Sequence, residues 1–117
     1  AAQSREAARK YWLRHAPVDP GVIWIDDGAV QAMRGKGASL LPGGITGAEG
    51  EFRRGDMVEI RSRHGDAGGE VSVARGVTQY AASDIRRIAG RHSRDIEGAL
   101  GYNYGGSVVH RDDLVLV

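Results

Sequence analysis

Glycine is the residue that most restricts how this chain can fold. The sequence has 18 glycines among 117 residues, and they divide it into short segments. The longest uninterrupted apolar runs are Val22-Ile23-Trp24-Ile25 and Leu114-Val115-Leu116-Val117. Because glycine weakens the interiors of strands and marks bends, this pattern favours a small, strongly curved sheet or barrel. The same pattern disfavours a doubly wound parallel fold, since its crossover helices need more residues than the segments provide.

The turn signals between these segments predict about six short strands with short helices inserted between them. Strands are predicted at 22–25, 45–50, 57–60, 71–74, 108–109 and 114–117. Gly76 is expected to interrupt the strand that begins at 71, and 77–80 to continue it beyond a bulge. Helices are predicted at 4–14, from Asp26 or Asp27 to Gly35 and Gly37, from Ser83 to Gly90, and from Ser93 to Gly101. The polar segment 61–69 is typical of a hairpin loop. We therefore expect a mixed α/β fold.

The first 21 residues are predicted to form a helix and a linker that belong to an upstream domain, with the main domain at 22–117. Two prolines and a glycine in 15–21 prevent the helix from continuing. The first residue is not methionine, and residues 1–14 lack the apolar centre of a secretory signal. No apolar run approaches the roughly 20 residues that span a bilayer. We expect a cytoplasmic piece of a longer protein, without a membrane partner.

The charge balance gives little support to a nucleic-acid partner. Sixteen Lys and Arg residues stand against 15 Asp and Glu, for a net charge of +1. Nucleic-acid-binding domains usually carry a basic excess that neutralises phosphates. Any binding patch would therefore have to be local.

Three short motifs are similar to known functional sites but lack the residues that those sites need. His110-Arg111-Asp112 matches the start of the protein-kinase catalytic loop, but the other kinase motifs are absent. Gly35-Lys36-Gly37 has neither the spacing nor the Ser or Thr of a phosphate-binding loop. Arg54-Gly55-Asp56 matches the integrin-binding tripeptide and is better explained as a reverse turn. These motifs support neither a nucleotide site nor an integrin site.

The remaining polar residues give no sign of catalysis. The four histidines lack the spacing of zinc ligands, and the chain contains no cysteine. Asp26-Asp27 could be paired acids, but a helix N-cap before Gly28 explains them with one carboxylate. We predict no catalytic residue, no metal ligand and no cofactor in this chain.

The segment 36–45 is the one candidate for a binding surface. Its glycines expose backbone donors, Leu40 and Leu41 form an apolar shelf, and Arg34 lies beside them. Such a surface could meet a nucleic-acid backbone. The alternative is a structural loop that seats Leu40, Leu41 and Ile45 in the core, and both interpretations remain open.

The same segment resembles a known family. Ser39-Leu40-Leu41-Pro42-Gly43-Gly44-Ile45, with 22–28 before it and 49–58 after it, resembles a PUA domain, the module named for pseudouridine synthases and archaeosine transglycosylases. More narrowly, the chain from 8 to 117 resembles the C-terminal PUA domain of bacterial glutamate 5-kinases. The blocks that carry this are Ala8-Arg9-Lys10-Tyr11-Trp12, Asp26-Asp27-Gly28-Ala29, Ala74-Arg75-Gly76, Ile88-Ala89-Gly90, Leu100-Gly101-Tyr102 and His110-Arg111-Asp112.

The resemblance implies a PUA-type pseudo-barrel and a parent enzyme that phosphorylates the side-chain carboxylate of glutamate, the first step of proline biosynthesis. It places ATP and magnesium in an upstream kinase domain and implies a homo-oligomeric parent. We expect this domain to be regulatory or to serve assembly, with RNA binding as the alternative. In RNA-binding PUA proteins the short helix and glycine loop contact RNA. The residues that this implies here are Arg34, Lys36, Gly37, Leu40, Leu41, Pro42, Gly43 and Gly44.

Overall fold

A five-stranded mixed sheet lies at the centre of the structure. The computed structural model describes residues 8, 11–13, 15, 21–63 and 69–117. Within that part the strands are β1 (Val22–Ile25), β2 (Ile45–Glu49), β3 (Met57–Ser62), β4 (Val71–Val77) and β5 (Leu114–Leu116). The helices are α1 (Asp27–Lys36), α2 (Ala82–Ile88) and α3 (Ile96–Leu100), with 3-10 turns at Pro42–Gly44, Ser93–Asp95 and Arg111–Asp113.

The strands follow the order β2-β1-β3-β4-β5, and only β1 and β3 of these neighbours run parallel. The pairing shifts register between Trp24 and Ile25 and again between Ile60 and Arg61. Such irregularities bend a strand and increase its twist. The sheet is therefore curved, as the short segments predict.

One face of the sheet carries the main core. Ile23 and Ile25 of β1 and Ile60 of β3 are buried there, because alternate residues of a strand point to the same face. Helices α2 and α3 cover this face with their own buried residues, Ile85, Ile88, Ile96 and Leu100. The helical spacing of these four residues explains why both segments fold as short helices on the sheet.

The other face carries a smaller cluster. Leu13 is fully buried against Met57 and Val115, with Val77 packed beside them. Ala8, residues 11–13 and His15 are helical, although His15 was expected to begin the linker. The rest of the predicted helix 4–14 and of the linker lies outside the described residues. Leu13 thus anchors the helical stretch to the sheet.

Two predictions about strands are wrong. Val108 and Val109 form only an isolated bridge: Leu40 N–H donates to Val109 O at 2.8 Å, and Val108 N–H donates to Leu40 O at 2.8 Å. Gly76 does not interrupt β4, which continues through it to Val77. A Cβ atom on Gly76 would lie 2.5 Å from the carbonyl oxygen of Asp113, so glycine is required there by close packing. The expected count of about six strands falls to five in the described residues.

Two predicted caps are also wrong. Helix α2 begins after Ala81, without a side-chain cap, and Ser83 lies inside its first turn. Ser93 begins a 3-10 turn, and its hydroxyl donates to Gly106 O at 2.9 Å. Each serine precedes apolar residues at helical spacing, which is why it was predicted as a cap. Helix α2 instead begins one residue before Ser83, and a 3-10 turn that includes Ser93 precedes α3.

Candidate nucleic-acid interface

Helix α1 forms one wall of the predicted interface. Asp26 is its N-cap, and the Oδ1 atom accepts a hydrogen bond from Ala29 N–H at 2.8 Å. Gly37 ends the helix in a left-handed conformation, with φ 61°, and its N–H donates to Ala32 O. Glycine adopts that conformation without strain. Of the two acids predicted as the cap, Asp26 is therefore the one that caps the helix. Gly37 ends the helix as predicted, whereas Gly35 lies inside it.

The segment 38–44 forms the opposite wall and is held at several points. Besides the bridge to Val109, Asp26 N–H donates to Gly44 O at 2.9 Å, and Gly90 N–H donates to Pro42 O at 2.8 Å. A Cβ atom on Gly44 would lie 2.7 Å from the Cβ atom of Ala29. The two walls approach so closely that only glycine fits at this position.

Between these walls lies a groove of about 350 Å³. Its lining consists of small or apolar residues, backbone and one carboxylate: Asp26, Gly28, Ala29, Ala32, Met33, Ala38, Ser39, Leu40, Leu41, Gly43 and Gly44. A second depression of about 390 Å³ adjoins it, lined by Gly28, Gln31, Ala32, Gly35 and Lys36. Both volumes are large enough for part of a small ligand.

Of the eight predicted contact residues, five are exposed and three are buried or half-buried. Leu41, Gly43 and Gly44 line the groove, and Leu41 is 49% exposed. Leu40 also lines it but is only 1% exposed, and Pro42 is buried. Lys36 lines the second depression, Gly37 ends α1, and Arg34 is exposed on the last turn of that helix. The accessible part of the predicted site is therefore Arg34, Lys36, Gly37, Leu41 and Gly43.

Charges of both signs surround the groove. Arg34 and Lys36 lie in the last turn of α1, whereas Asp26 and Asp27 lie at its start. The two acids oppose an anionic ligand at that end. The groove itself thus offers apolar contact, and two cations lie on the last turn of α1 beside it.

Several residues at this site were not predicted from the sequence. Ala29 and Ala32 line the groove, and their i,i+3 spacing on a predicted helix could have revealed this small-residue face. Ser39 accepts a hydrogen bond from Arg111 N–H at 2.8 Å through its Oγ atom. That contact brings the backbone of Arg111 close to the groove, from 72 positions along the chain. Local patterns contain no signal for such a pairing.

The three motifs rejected above have structural roles. His110 precedes the 3-10 turn Arg111–Asp113, and its Nδ1 atom accepts from Asp112 N–H at 3.1 Å. Asp56 Oδ2 accepts from Arg53 N–H at 2.8 Å, so the turn predicted before β3 is confirmed. Lys36 and Gly37 end α1.

Across the described ranges, no group of three or more His, Cys, Asp or Glu side chains could hold a metal ion. The helices found there are also too short or too polar to cross a membrane.

Comparison with known families decides the fold assignment. The sequence profile of the PUA domain matches residues 21–100. The chain belongs to the PUA domain family. The expected PUA-type fold, a mixed α/β pseudo-barrel that is not a closed barrel, is confirmed.

This PUA domain is also similar to part of several longer proteins. It is 70% identical over 117 residues to a glutamate 5-kinase of Xanthomonas euvesicatoria, covering all of this chain and 32% of that protein. It is 63% identical over 111 residues to a glutamate 5-kinase of Xylella fastidiosa, covering 95% of this chain and 29% of that protein. The chain thus spans about a third of the length of these relatives and matches their C-terminal part.

Among solved structures, a PUA domain of Aeropyrum pernix K1 in complex with tartrate is similar, with a TM-score of 0.51 and 28% identity. That likeness covers 77% of this chain and 41% of the other. It supports the fold assignment independently of the sequence profile.

Proposed function

We propose that this PUA domain is the non-catalytic C-terminal domain of a glutamate 5-kinase and that it serves regulation or assembly of the enzyme. The observation that carries the proposal is the 70% identity over all 117 residues to the Xanthomonas enzyme. In this proposal the whole protein transfers phosphate from ATP to L-glutamate, giving L-glutamyl 5-phosphate in the first step of proline biosynthesis. The upstream domain binds ATP and magnesium, and the enzyme is a cytoplasmic homo-oligomer.

The attachment of the helical stretch supports a mechanical role. Leu13 is fully buried against Met57 and Val115, so the helical stretch is attached to the sheet at this residue. A displacement of the upstream domain would therefore be transmitted to β3 and β5 through packed side chains. The net charge of +1 and the two acids at the groove also favour a role that does not depend on phosphate contacts.

A comparison of the full-length enzyme with a version that ends before this domain tests the proposal. We expect glutamate phosphorylation to persist in the truncated enzyme, whereas inhibition by proline, magnesium dependence or oligomeric state changes. Full-length and truncated enzymes that agree in all three properties would overturn the regulatory role. A truncated enzyme that is folded but inactive would overturn the non-catalytic assignment.

RNA binding is a second candidate function, and the exposed part of the groove favours it. Leu41 is half exposed beside Gly43, and Lys36 and Arg34 lie at the end of α1. This arrangement offers an apolar contact for a base and cations for phosphates. Only Arg34 and Lys36 contribute charge from the predicted set, so we expect binding that is weak at physiological salt.

A titration of the chain with structured RNA at low and raised salt tests this candidate. Loss of one phosphate contact in Lys36→Ala should lower the salt slope by about 1. Leu41→Ala should weaken binding without changing that slope, because it removes an apolar contact. The absence of binding at low salt would eliminate this function without affecting the first proposal.

A further inference from the structure

Two exposed tyrosine rings lie side by side on the loop that follows α3. The ring centroids of Tyr102 and Tyr104 are 5.3 Å apart, and the two residues are 39% and 43% exposed. The guanidinium carbon of Arg54 lies 4.0 Å from the centroid of the Tyr104 ring. Exposed aromatic rings beside arginine are the elements with which proteins stack and hold unpaired nucleobases.

The loop that carries these rings is fixed by hydrogen bonds. The buried Tyr80 side chain donates its hydroxyl proton to Gly105 O at 2.6 Å and accepts from Tyr104 N–H at 2.9 Å. Asn103 Oδ1 accepts from Gly105 N–H at 2.6 Å, and the Tyr102 hydroxyl donates to Asp84. Because these contacts are already made, little conformational entropy remains to be lost when a ligand binds.

A depression of about 300 Å³ is lined in part by Tyr104, and we call it the tyrosine pocket. Tyr104, Gln79, Ser107, His110 and Asp113 line it together with the glycines of the loop. The Gln79 Nε2 atom lies 3.3 Å from Asp113 Oδ2, which fixes the carboxamide and leaves its carbonyl oxygen as an acceptor. His110 uses Nδ1 to accept from Asp112 N–H, so Nε2 is the nitrogen that can donate outward.

The pocket therefore combines one aromatic wall with hydrogen-bond donors and acceptors at its edge. Its volume is at the lower end of the range for small-ligand sites. Stacking on an aromatic ring together with hydrogen bonds to the edge of the base is how proteins recognise unstacked nucleotides. The lining residues come from three separate segments of the chain, which explains why no sequence motif indicates a nucleotide site.

We propose that the tyrosine pocket binds a nucleotide, with the base on the face of Tyr104 opposite Arg54 and its edge bonded by Gln79 and Asp113, while Arg54 reaches the phosphate from beside the ring. The nucleotide is either free or an unpaired residue of single-stranded RNA, since both present the same base and phosphate. None of the residues of the tyrosine pocket lines the groove between α1 and 38–44. The inference depends on neither proposed function, because it adds a nucleotide site outside the groove.

The test is a titration of the chain with the four ribonucleoside monophosphates, adenosine, a short single-stranded RNA and a duplex of the same composition. Calorimetry gives the affinity, and NMR shifts of the Gly105 and Gly106 amides locate the binding. Tyr104→Ala should weaken binding by roughly five- to hundredfold, the range expected for the loss of one base–aromatic stack. Tyr104→Phe should bind like the original chain, because the ring is retained.

Further variants separate the parts of the proposed site. Arg54→Ala should weaken binding of AMP but leave that of adenosine unchanged, because adenosine has no phosphate. Tyr104→Leu keeps an apolar side chain over Tyr80 and still removes the aromatic face. It replaces Tyr104→Ala in the test if circular dichroism shows that Tyr104→Ala does not fold. Leu41→Ala, in the groove, should leave binding unchanged.

The results of these titrations distinguish the two sources of the nucleotide and can overturn the inference. Shifts at Gly105 and Gly106 with monophosphates support a free nucleotide, and shifts with single-stranded RNA alone support an unpaired RNA residue. The absence of shifts with every probe overturns the inference, as does binding that Tyr104→Ala and Tyr104→Leu leave unchanged. RNA binding that Leu41→Ala abolishes but the Tyr104 variants do not would support the groove and overturn the tyrosine pocket.

Discussion

Gly44 and Ala29 are in contact across the groove, so close that a Cβ atom on Gly44 would lie 2.7 Å from that of Ala29. We expect Gly44→Ala to destabilise the domain by about 1–3 kcal/mol, because overpacking forces the backbone to shift. Urea unfolding monitored by tryptophan fluorescence measures this. Gly43→Ala is the matched control, since its Cβ atom would have no neighbour closer than Arg91 O at 3.6 Å. Equal stability of the two variants would show that the groove walls can separate freely.

Gly76 is the corresponding position inside the sheet. A Cβ atom there would lie 2.5 Å from Asp113 O and 2.7 Å from Val109 Cγ1. Because the first neighbour is backbone, we expect Gly76→Ala to cost about 1–3 kcal/mol or more and to loosen the pairing of β4 with β5. Hydrogen exchange of the β5 amides reports that loosening. Gly47→Ala in β2 is the control, since nothing lies within 4 Å of its Cβ position, and a similar loss there would contradict the packing argument.

Local patterns were sufficient for elements that are defined by their own residues. The β-branched run at 22–25 predicted β1, and Asp26 or Asp27 with Gly35 and Gly37 predicted α1 to within two residues at each end, because a cap and a terminator act within one turn. Val108 and Val109 show the limit of such patterns. They have the composition of a strand, but their position in the fold gives them an isolated bridge to Leu40 and one hydrogen bond from Gln79 N–H to Val108 O, rather than a ladder.

The candidate site shows the same division. Leu41 and Leu40 are adjacent and chemically identical, yet one is half exposed and the other is buried in the core. The sequence could propose both but could not choose between them, because the choice depends on the bridge to Val109. The tyrosine pocket could not be predicted at all, since Gln79, Tyr104 and His110 meet only after the sheet and its connections have formed.

Tyr102 provides a prediction about pH. Its hydrogen bond to Asp84 is the main cause that raises the pKa of Tyr102 from 10.0 to about 12. The folded state therefore holds this proton more tightly than the unfolded state does. The stability that this contributes is fully present below pH 10, the ordinary pKa, and is lost as the pH rises to about 12.

Titration of phenolate absorbance measures this shift. Tyr102→Phe should remove the ionisation near pH 12, and Asp84→Asn should move that ionisation to lower pH because the carboxylate charge is gone. Asp95→Asn is a matched exposed control, for which we expect no change in the Tyr102 titration. A transition that stays near pH 12 in Asp84→Asn would show that the carboxylate does not cause the shift.

The attachment of the helical stretch can be tested through Leu13. Its side chain is fully buried against Met57 and Val115, so Leu13→Ala leaves a cavity and should cost about 2–5 kcal/mol if the stretch unfolds together with the domain. The control is Trp12→Ala, because Trp12 is 50% exposed and should contribute less. If the chain belongs to a glutamate 5-kinase as proposed, Leu13→Ala in the full-length protein should change proline inhibition or oligomeric state in the same direction as removal of the domain, since both interrupt the contact with the sheet. An unfolding free energy that Leu13→Ala leaves unchanged would mean that the contact is not made in solution, and an unchanged response in the enzyme would separate the docking of this helix from regulation.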